Sequence, residues 1–135
     1  MEFRFLEHED YDTLCKWWKQ NRFPPPPRDF LPNYGLDGIM VSKDGIEICA
    51  GFIYETSAPA LAWIEFVVAN FEVKDRGLRK EALNFLITEL STIAENMGKK
   101  YLYTNLKNQG LVERYKDCGY VVGSKGCIEM VKVIK

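Results

Sequence analysis

Phe66-Val67-Val68-Ala69-Asn70-Phe71-Glu72-Val73-Lys74-Asp75-Arg76-Gly77-Leu78-Arg79-Lys80, continued by an amphipathic run through Leu90, decides how this chain is read. An apolar strand enters a short polar turn, and a helix follows at once. The turn carries Gly77 among the cations Lys74, Arg76, Arg79 and Lys80. A helix start exposes unpaired N–H groups and the positive end of the helix dipole, so this order can build an anion site. An ordinary strand-to-helix connection with a solvated basic face would look the same, and the rest of the chain has to separate the two.

Outward from that stretch, the elements alternate. Met1 to Leu6 reads as a half-buried strand, and Tyr11, Leu14, Cys15 and Trp18 form a helical stripe ending near Asn21-Arg22. Phe23 to Pro32 holds a run of prolines at Pro24 to Pro27, which stay extended and predict an ordered loop between flanking aromatics. Leu36 to Ser42 and Ile46 to Tyr54 are strands joined at Lys43-Asp44-Gly45, a hairpin signal. Leu61 to Ala69 is nearly continuous in apolar character, which predicts a central, covered strand. Leu78, Ala82, Leu83, Leu86, Leu90, Ile93, Ala94 and Met97 make the stripe of a long helix that Gly98 ends. Tyr101 to Leu106 is a strand reached across that helix, hence parallel to its predecessor. Gln109 to Asp117 is a short helix, and Tyr120 to Gly123 with Cys127 to Ile134 predicts a closing hairpin. The expectation is one α/β domain over residues 1–135, a mixed sheet, mostly antiparallel with one parallel pair, flanked by helices. A ligand crevice is expected at the carboxyl ends of the parallel pair.

Composition narrows the function classes. A chain of 135 residues with 47% hydrophobic and 13% aromatic content can bury a full core. The net charge of −1 argues against nucleic acid or an acidic membrane surface as partner. No apolar run approaches the ~20 residues a membrane helix needs, and Met1 to Asp10 is too charged for a leader. Cys15, Cys49, Cys118 and Cys127 show no metal-ligand or CxxC spacing and His8 is the one histidine, so no metal is expected. Reduced thiols and a cytoplasmic location follow as expectations.

Two stretches carry a resemblance. Lys74-Asp75-Arg76-Gly77-Leu78-Arg79 is similar to the pattern Arg/Gln-x-x-Gly-x-Gly/Ala, with the central glycine kept and Arg79 where a small residue is usual. Asn108 to Tyr120 resembles Asn-x-x-Ala-x-x-x-Tyr-x-x-x-Gly-Phe, with Asn108, Tyr115 and Gly119 in register and Tyr120 for the terminal aromatic. Both patterns belong to the GNAT superfamily of N-acetyltransferases, which the element order also resembles over nearly the whole chain.

The resemblance implies a GNAT-like acyltransferase fold that binds acetyl-CoA between Leu61–Ala69 and Tyr101–Leu106. It implies direct transfer of the acetyl group to a primary amine, by a monomer or homodimer. The backbone of Val67, Val68 and Ala69 would face the pantetheine arm and the thioester carbonyl. Lys74, Asp75, Arg76, Gly77, Leu78 and Arg79 would wrap the pyrophosphate. Tyr115 would bind the cofactor and protonate the departing thiolate, and Asn108 would hydrogen-bond the cofactor; read as plain structure, these are a core tyrosine and a helix cap. Glu65, among Trp63, Ile64, Phe66 and Val67, is the candidate base because burial raises a carboxyl pKa; it could instead face solvent or pair with a lysine. The resemblance also implies that the first helical region borders the acceptor site, so Trp17, Phe23 and Phe30 could line it, and the acidic patch Glu7 to Asp12 would favour a cationic acceptor. The alternative within the same fold is a binding or regulatory module that has lost catalysis.

Overall fold

The strand that is apolar on both faces is Ile46–Glu55, and the sheet is built around it. Ile48, Cys49, Ala50 and Phe52 are fully buried, the first two in the layer on one side of the sheet and the last two in the layer on the other. The computed structural model describes residues 1–135. In chain order it has β1 (Glu2–Phe5), α1 (Asp10–Gln20), β2 (Gly38–Lys43), β3 (Ile46–Glu55), β4 (Leu61–Ala69), α2 (Arg76–Asn96), β5 (Tyr101–Tyr103) and α3 (Gln109–Asp117). The sheet order is β1-β2-β3-β4-β5, antiparallel throughout except for the parallel pair β4–β5. The expected central strand is therefore corrected by one position: β3 is the middle, and β4 is covered on both faces only in part, with β5 as the edge.

Each face of the sheet takes one helical layer. On one side Ala82, Leu86, Ile87, Leu90 and Ala94 of α2 lie against Ile39, Val41, Ile48, Ile53 and Ile64, joined by Tyr115 from α3. On the other, Leu14, Trp17 and Trp18 of α1 lie against Met40, Ala50, Phe52 and Val68, with Leu6 and Leu31 closing the layer. Burying each such large side chain is worth about 1.5–3 kcal/mol, so the two layers hold the five strands between them.

Local signals place the boundaries. Asp44 and Gly45 both adopt positive φ, 51° and 79°, which makes the tight β2–β3 turn. Past α2, Gly98 sits at φ 85° and the Lys99 amide donates to Ala94 O at 3.1 Å, a left-handed helix stop. The proline loop packs: Pro26 is buried, its carbonyl accepts from the Tyr11 hydroxyl at 2.8 Å, and Arg28 stacks on the Tyr11 ring at 4.3 Å. Arg4 ties three elements together. Its guanidinium donates to both carboxylate oxygens of Asp10 at 2.8 Å and to Glu47 at 2.7 Å, joining β1 to the start of α1 and to β3.

Three expectations are corrected. Tyr101 to Leu106 keeps the ladder only as far as Tyr103. Met1 to Leu6 forms an edge strand whose four residues are all exposed. The closing hairpin over Tyr120–Gly123 and Cys127–Ile134 is absent: no strand forms there, and Val121, Ile128, Met130 and Ile134 are 85–89% exposed. Alternation alone does not make a strand. A hairpin needs a sheet or a packed face to sit on, and β5 offers three residues of ladder.

Two outcomes test this packing. At Gly38 an added Cβ would stand 2.4 Å from Gly51 O and 2.9 Å from side-chain carbons of Leu6 and Phe52. Gly38→Ala is expected to lower unfolding stability by about 1–3 kcal/mol, read by urea titration. The hydrogen bonds from Arg4 hold the Asp10 carboxyl below its ordinary value of 3.8, against the opposing effect of burial. That stabilisation is complete above the ordinary value and disappears as pH falls through the lower folded one. Thermal melts across the acid range should show the native protein losing stability more steeply than Asp10→Asn; parallel curves would refute the coupling.

Candidate active site

The β4–β5 pair comes apart almost as soon as it forms. Its ladder runs Leu61↔Tyr101, Ala62↔Leu102, Trp63↔Tyr103 and stops. On its other side β4 stays paired to β3, through Phe52↔Glu65, Ala50↔Val68 and Cys49↔Ala69, with a break in register at Gly51. The break is a bulge centred on Phe66, whose φ is +56°. A bulky residue in the left-handed region is strained and is held there by its surroundings. Trp18, Phe23 and Tyr54 pack their rings about 6.3 Å from that of Phe66.

Beyond the bulge, the Asn70 amide donates to Ile48 O at 2.7 Å. Antiparallel alternation then turns Val68 N–H toward β3 and the amides of Val67 and Ala69 toward the side that β5 has left. The end of β4 is pinned by Asn21, which donates to Ala69 O at 3.1 Å. The gap is thus an edge of extended backbone with donors facing outward.

Two titratable side chains flank it. Glu65 does not pair with a lysine; its Oε1 accepts the Asn105 amide at 2.8 Å, bridging the parted strands. Burial raises its carboxyl above the ordinary 4.5, opposed by that amide and by the nearby Thr104 hydroxyl, while Glu129 pushes it further up. Tyr115, on α3, is 2% exposed, and its hydroxyl is buried with no hydrogen-bond partner. Burial drives its pKa well above 10, so the phenol keeps its proton throughout the neutral range. Its ring meets Tyr120 edge-on at 5.0 Å, and Tyr120 shares a 2.7 Å hydrogen bond with Ser91 on α2, which locks α3 in place.

The cationic turn lies at the start of α2. Asp75 is the N-cap, its carboxylate accepting Leu78 N–H at 3.1 Å. The first-turn amides of Arg76 and Gly77 have no place in the helix ladder. Lys74 Nζ rests 3.8 Å over the Phe71 ring, Arg76 and Lys80 are exposed, and Arg79 is half-buried with its Nε unpartnered. On the flank toward the β2–β3 turn, an open cleft is lined by Lys43, Asp44, Asp75 and Glu81, so that side is acid-rich. Asn108 caps α3, its Oδ1 accepting Leu111 N–H at 3.0 Å. Trp17 is buried in the α1 layer, whereas Phe23 and Phe30 are exposed. In the acidic patch Asp10 is tied to Arg4, which leaves Glu7, Glu9 and Asp12 at the surface.

Three contributors to this gap have no sequence signature. Thr104 and Asn105 follow the last residue of β5 and carry no motif of their own, and nothing in Phe66 marks a left-handed backbone. Glycine at the facing position, Gly51, was the available hint of a bulge.

The raised pKa of Glu65 has a sign that stability measurements can read. A carboxyl whose folded value lies above 4.5 contributes stability below that value and loses it as pH rises through the folded one. Glu65→Gln keeps an acceptor for Asn105 and removes the charge. It is expected to melt at higher temperature than the native protein at neutral pH, with the difference closing under acid conditions. A native protein as stable as the variant at neutral pH would refute the desolvation.

No protein-family model matches the chain, and no curated protein matches it in sequence. Solved structures do match in three dimensions. N-acetylglutamate synthase from Neisseria gonorrhoeae, crystallised with coenzyme A and L-arginine, aligns with a TM-score of 0.72 at 15% identity, over 96% of this chain and 29% of its own. Ribosomal-protein-alanine N-acetyltransferase from Brucella melitensis biovar Abortus 2308 aligns with a TM-score of 0.65 at 15% identity, over 98% of this chain and all of its own. An acetyltransferase from Trypanosoma brucei gives 0.62 at 18% identity, over 96% and 99%. The sheet order, the parted parallel pair and these alignments agree: the chain has the GNAT acyltransferase fold.

Proposed function

We propose that this protein is a cytoplasmic N-acetyltransferase, a monomer or homodimer, that moves an acetyl group from acetyl-CoA to a primary amine by direct attack. The observation that carries the reading is the gap beyond Trp63 and Tyr103. It combines an outward-facing backbone edge with a desolvated carboxylate and a buried, unpartnered phenol. Buried polar groups are normally satisfied, and an orphaned hydroxyl at a gap is what a reacting partner would complete.

The residues suit acetyl-CoA. Val67 and Ala69 would hold the pantetheine arm through their amides, with Val68 keeping the strand tied to β3. Lys74, Arg76 and Arg79, with the amides of Gly77 and Leu78, would bind the diphosphate, and Asn108 retains an amide donor beside α3. When bound, acetyl-CoA supplies an activated acetyl carbonyl carbon. Glu65 accepts the amine proton, a role its raised pKa favours. Tyr115 donates a proton to the departing sulfur, which a phenol still protonated at neutral pH can do. The exposed rings of Phe23 and Phe30 and the exposed carboxylates Glu7, Glu9 and Asp12 would suit a cationic amine as acceptor.

One observation favours a second reading, a fold that binds without turnover. The Asp75 carboxylate already caps the helix start where a diphosphate would sit. Calorimetric titration with acetyl-CoA, for the native protein and Tyr115→Phe, separates the two. The expected result is equal binding by both, with amine acetylation at least about a hundredfold slower in Tyr115→Phe. Binding without turnover across a panel of amines supports the second reading, and absence of binding overturns the first.

A further inference from the structure

We propose that Trp63 and Tyr103, the last pair of the β4–β5 ladder, form a specificity site for the acceptor, and that the acceptor is a primary amine bearing an aromatic ring on a short alkyl linker. The proposal rests on the acetyl-transfer reading and deepens it by naming the substrate class.

Strand alternation fixes the face. Ile64 and Leu102 lie in the α2 layer, so Trp63, Glu65, Tyr101 and Tyr103 point to the opposite face, the one that carries α1. Register makes them neighbours. Trp63 is the Cα partner of Tyr54 on β3 and of Tyr103 on β5. The Trp63 and Tyr103 rings meet edge-on, 5.2 Å apart with planes at 69°, which makes a corner with two aromatic walls. Glu65 follows on the same face of β4, about 7 Å along the strand. The strands part directly beyond the Trp63–Tyr103 pair. The aromatic corner therefore ends where the gap opens, and the carboxylate stands at the opening.

Cross-strand aromatic pairs often serve only the sheet, but such a pair is covered. This one is not. The α1 layer rests on Ala50, Phe52 and Val68, and Trp63 packs against neither helical layer. Tyr103 is 55% exposed and Tyr101, one step further from the gap, is 64% exposed. Phe30 is held over the same face, because the Tyr54 hydroxyl donates to its carbonyl at 2.9 Å, and its ring is also exposed. Aromatic rings gain most when their faces and edges are covered by another ring. Here that cover is left for a ligand to supply.

Charge selects the rest of the ligand. Glu65 accepts one backbone amide and pairs with no cation, and Glu129 adds a second negative charge to its surroundings. An ammonium group complements that end, and aromatic faces attract it as well. An acidic acceptor is repelled by the same charges. A plain alkylamine would satisfy Glu65 and leave the corner open, whereas a ring on a short linker satisfies both. The balance is that of amide formation. The bound ammonium first sheds one proton to water. The amine lone pair then forms the C–N bond and the C–S pair leaves with sulfur. Glu65 takes the second amine proton, Tyr115 protonates the sulfur, and both side chains return to their starting forms by exchange with water.

The test uses the full chain and two primary amines, 2-phenylethylamine and butylamine, which share the ammonium and differ in the ring. The native protein should acetylate 2-phenylethylamine with kcat/KM about tenfold or more above that of butylamine, with the difference in KM. Trp63→Leu and Tyr103→Leu should each bring that ratio toward one, and Trp63→Phe should keep most of it. Binding is read apart from turnover by tryptophan fluorescence. 2-Phenylethylamine should change the native signal saturably and Trp63→Phe should lose the change, since Trp17 and Trp18 are buried under α1. If Trp63→Leu does not fold, the half-exposed Tyr103 carries the comparison as Tyr103→Leu. Equal kcat/KM for the two amines, or a ratio that the leucine variants leave unchanged, overturns the proposal. So does a native protein that binds acetyl-CoA and turns over neither amine, or one whose fluorescence does not respond to 2-phenylethylamine with or without CoA. Failure to bind acetyl-CoA overturns the acetyl-transfer reading instead, and the fluorescence titration still decides whether an aryl amine binds beside Trp63.

Discussion

Backbone N–H and C=O groups must be paired, and two strands that separate leave theirs without partners. The short β4–β5 ladder makes this constraint local. For three residue pairs the parallel strands satisfy each other, and after Trp63 and Tyr103 they do not. The rest of the structure makes that departure tolerable. β3 keeps β4 in the sheet from the other side, Asn21 holds its far end, and Glu65 spans the opening to Asn105. The bulge at Phe66 lets β4 change direction without losing its hold on β3, and the aromatic cluster of Trp18, Phe23 and Tyr54 absorbs the strained residue. The opening is a built feature with supports on every side.

The two helical layers divide the work. α2 and α3 supply the apolar side against which Tyr115 is desolvated, and α1 with the proline loop supplies the aromatic side around Phe66. Neither layer reaches into the gap with a charged group, so Glu65 meets no cation there. This is why its carboxyl is destabilised as an anion, whereas Asp10, gripped by Arg4, is stabilised as one. The same residue chemistry takes opposite directions because one carboxylate is paired with a cation and the other accepts only a backbone amide.

Much of the fold was legible because its signals are local. Asp44-Gly45, Gly98 and Gly119 occupy left-handed turns that side-chain-bearing residues rarely adopt, and the spacing of Leu86, Leu90 and Ala94 marks the buried face of α2. The signals failed where tertiary context decides. β3 and β4 are both apolar, and only their neighbours show which is central. The alternation in Cys127 to Ile134 is genuine, but a strand is a relation between two segments, and no partner is presented to it. Candidate site residues were legible where a side chain carries its own chemistry, as with Glu65, Tyr115 and the cationic turn. The Asn105 amide and the backbone of Phe66 act only through where the fold puts them.

The Asp75 cap gives α2 a resident counter-ion. A ligand anion arriving at this helix start does not fill a vacancy; it exchanges with a tethered carboxylate whose local concentration is set by the chain. Measured affinity at this end is then a difference between two anions competing for the same amides. The released Asp75 becomes a repulsive neighbour unless Lys74, Arg76 or Lys80 takes it up, so the cations of the turn have two clients, and ionic strength weakens the hold on both.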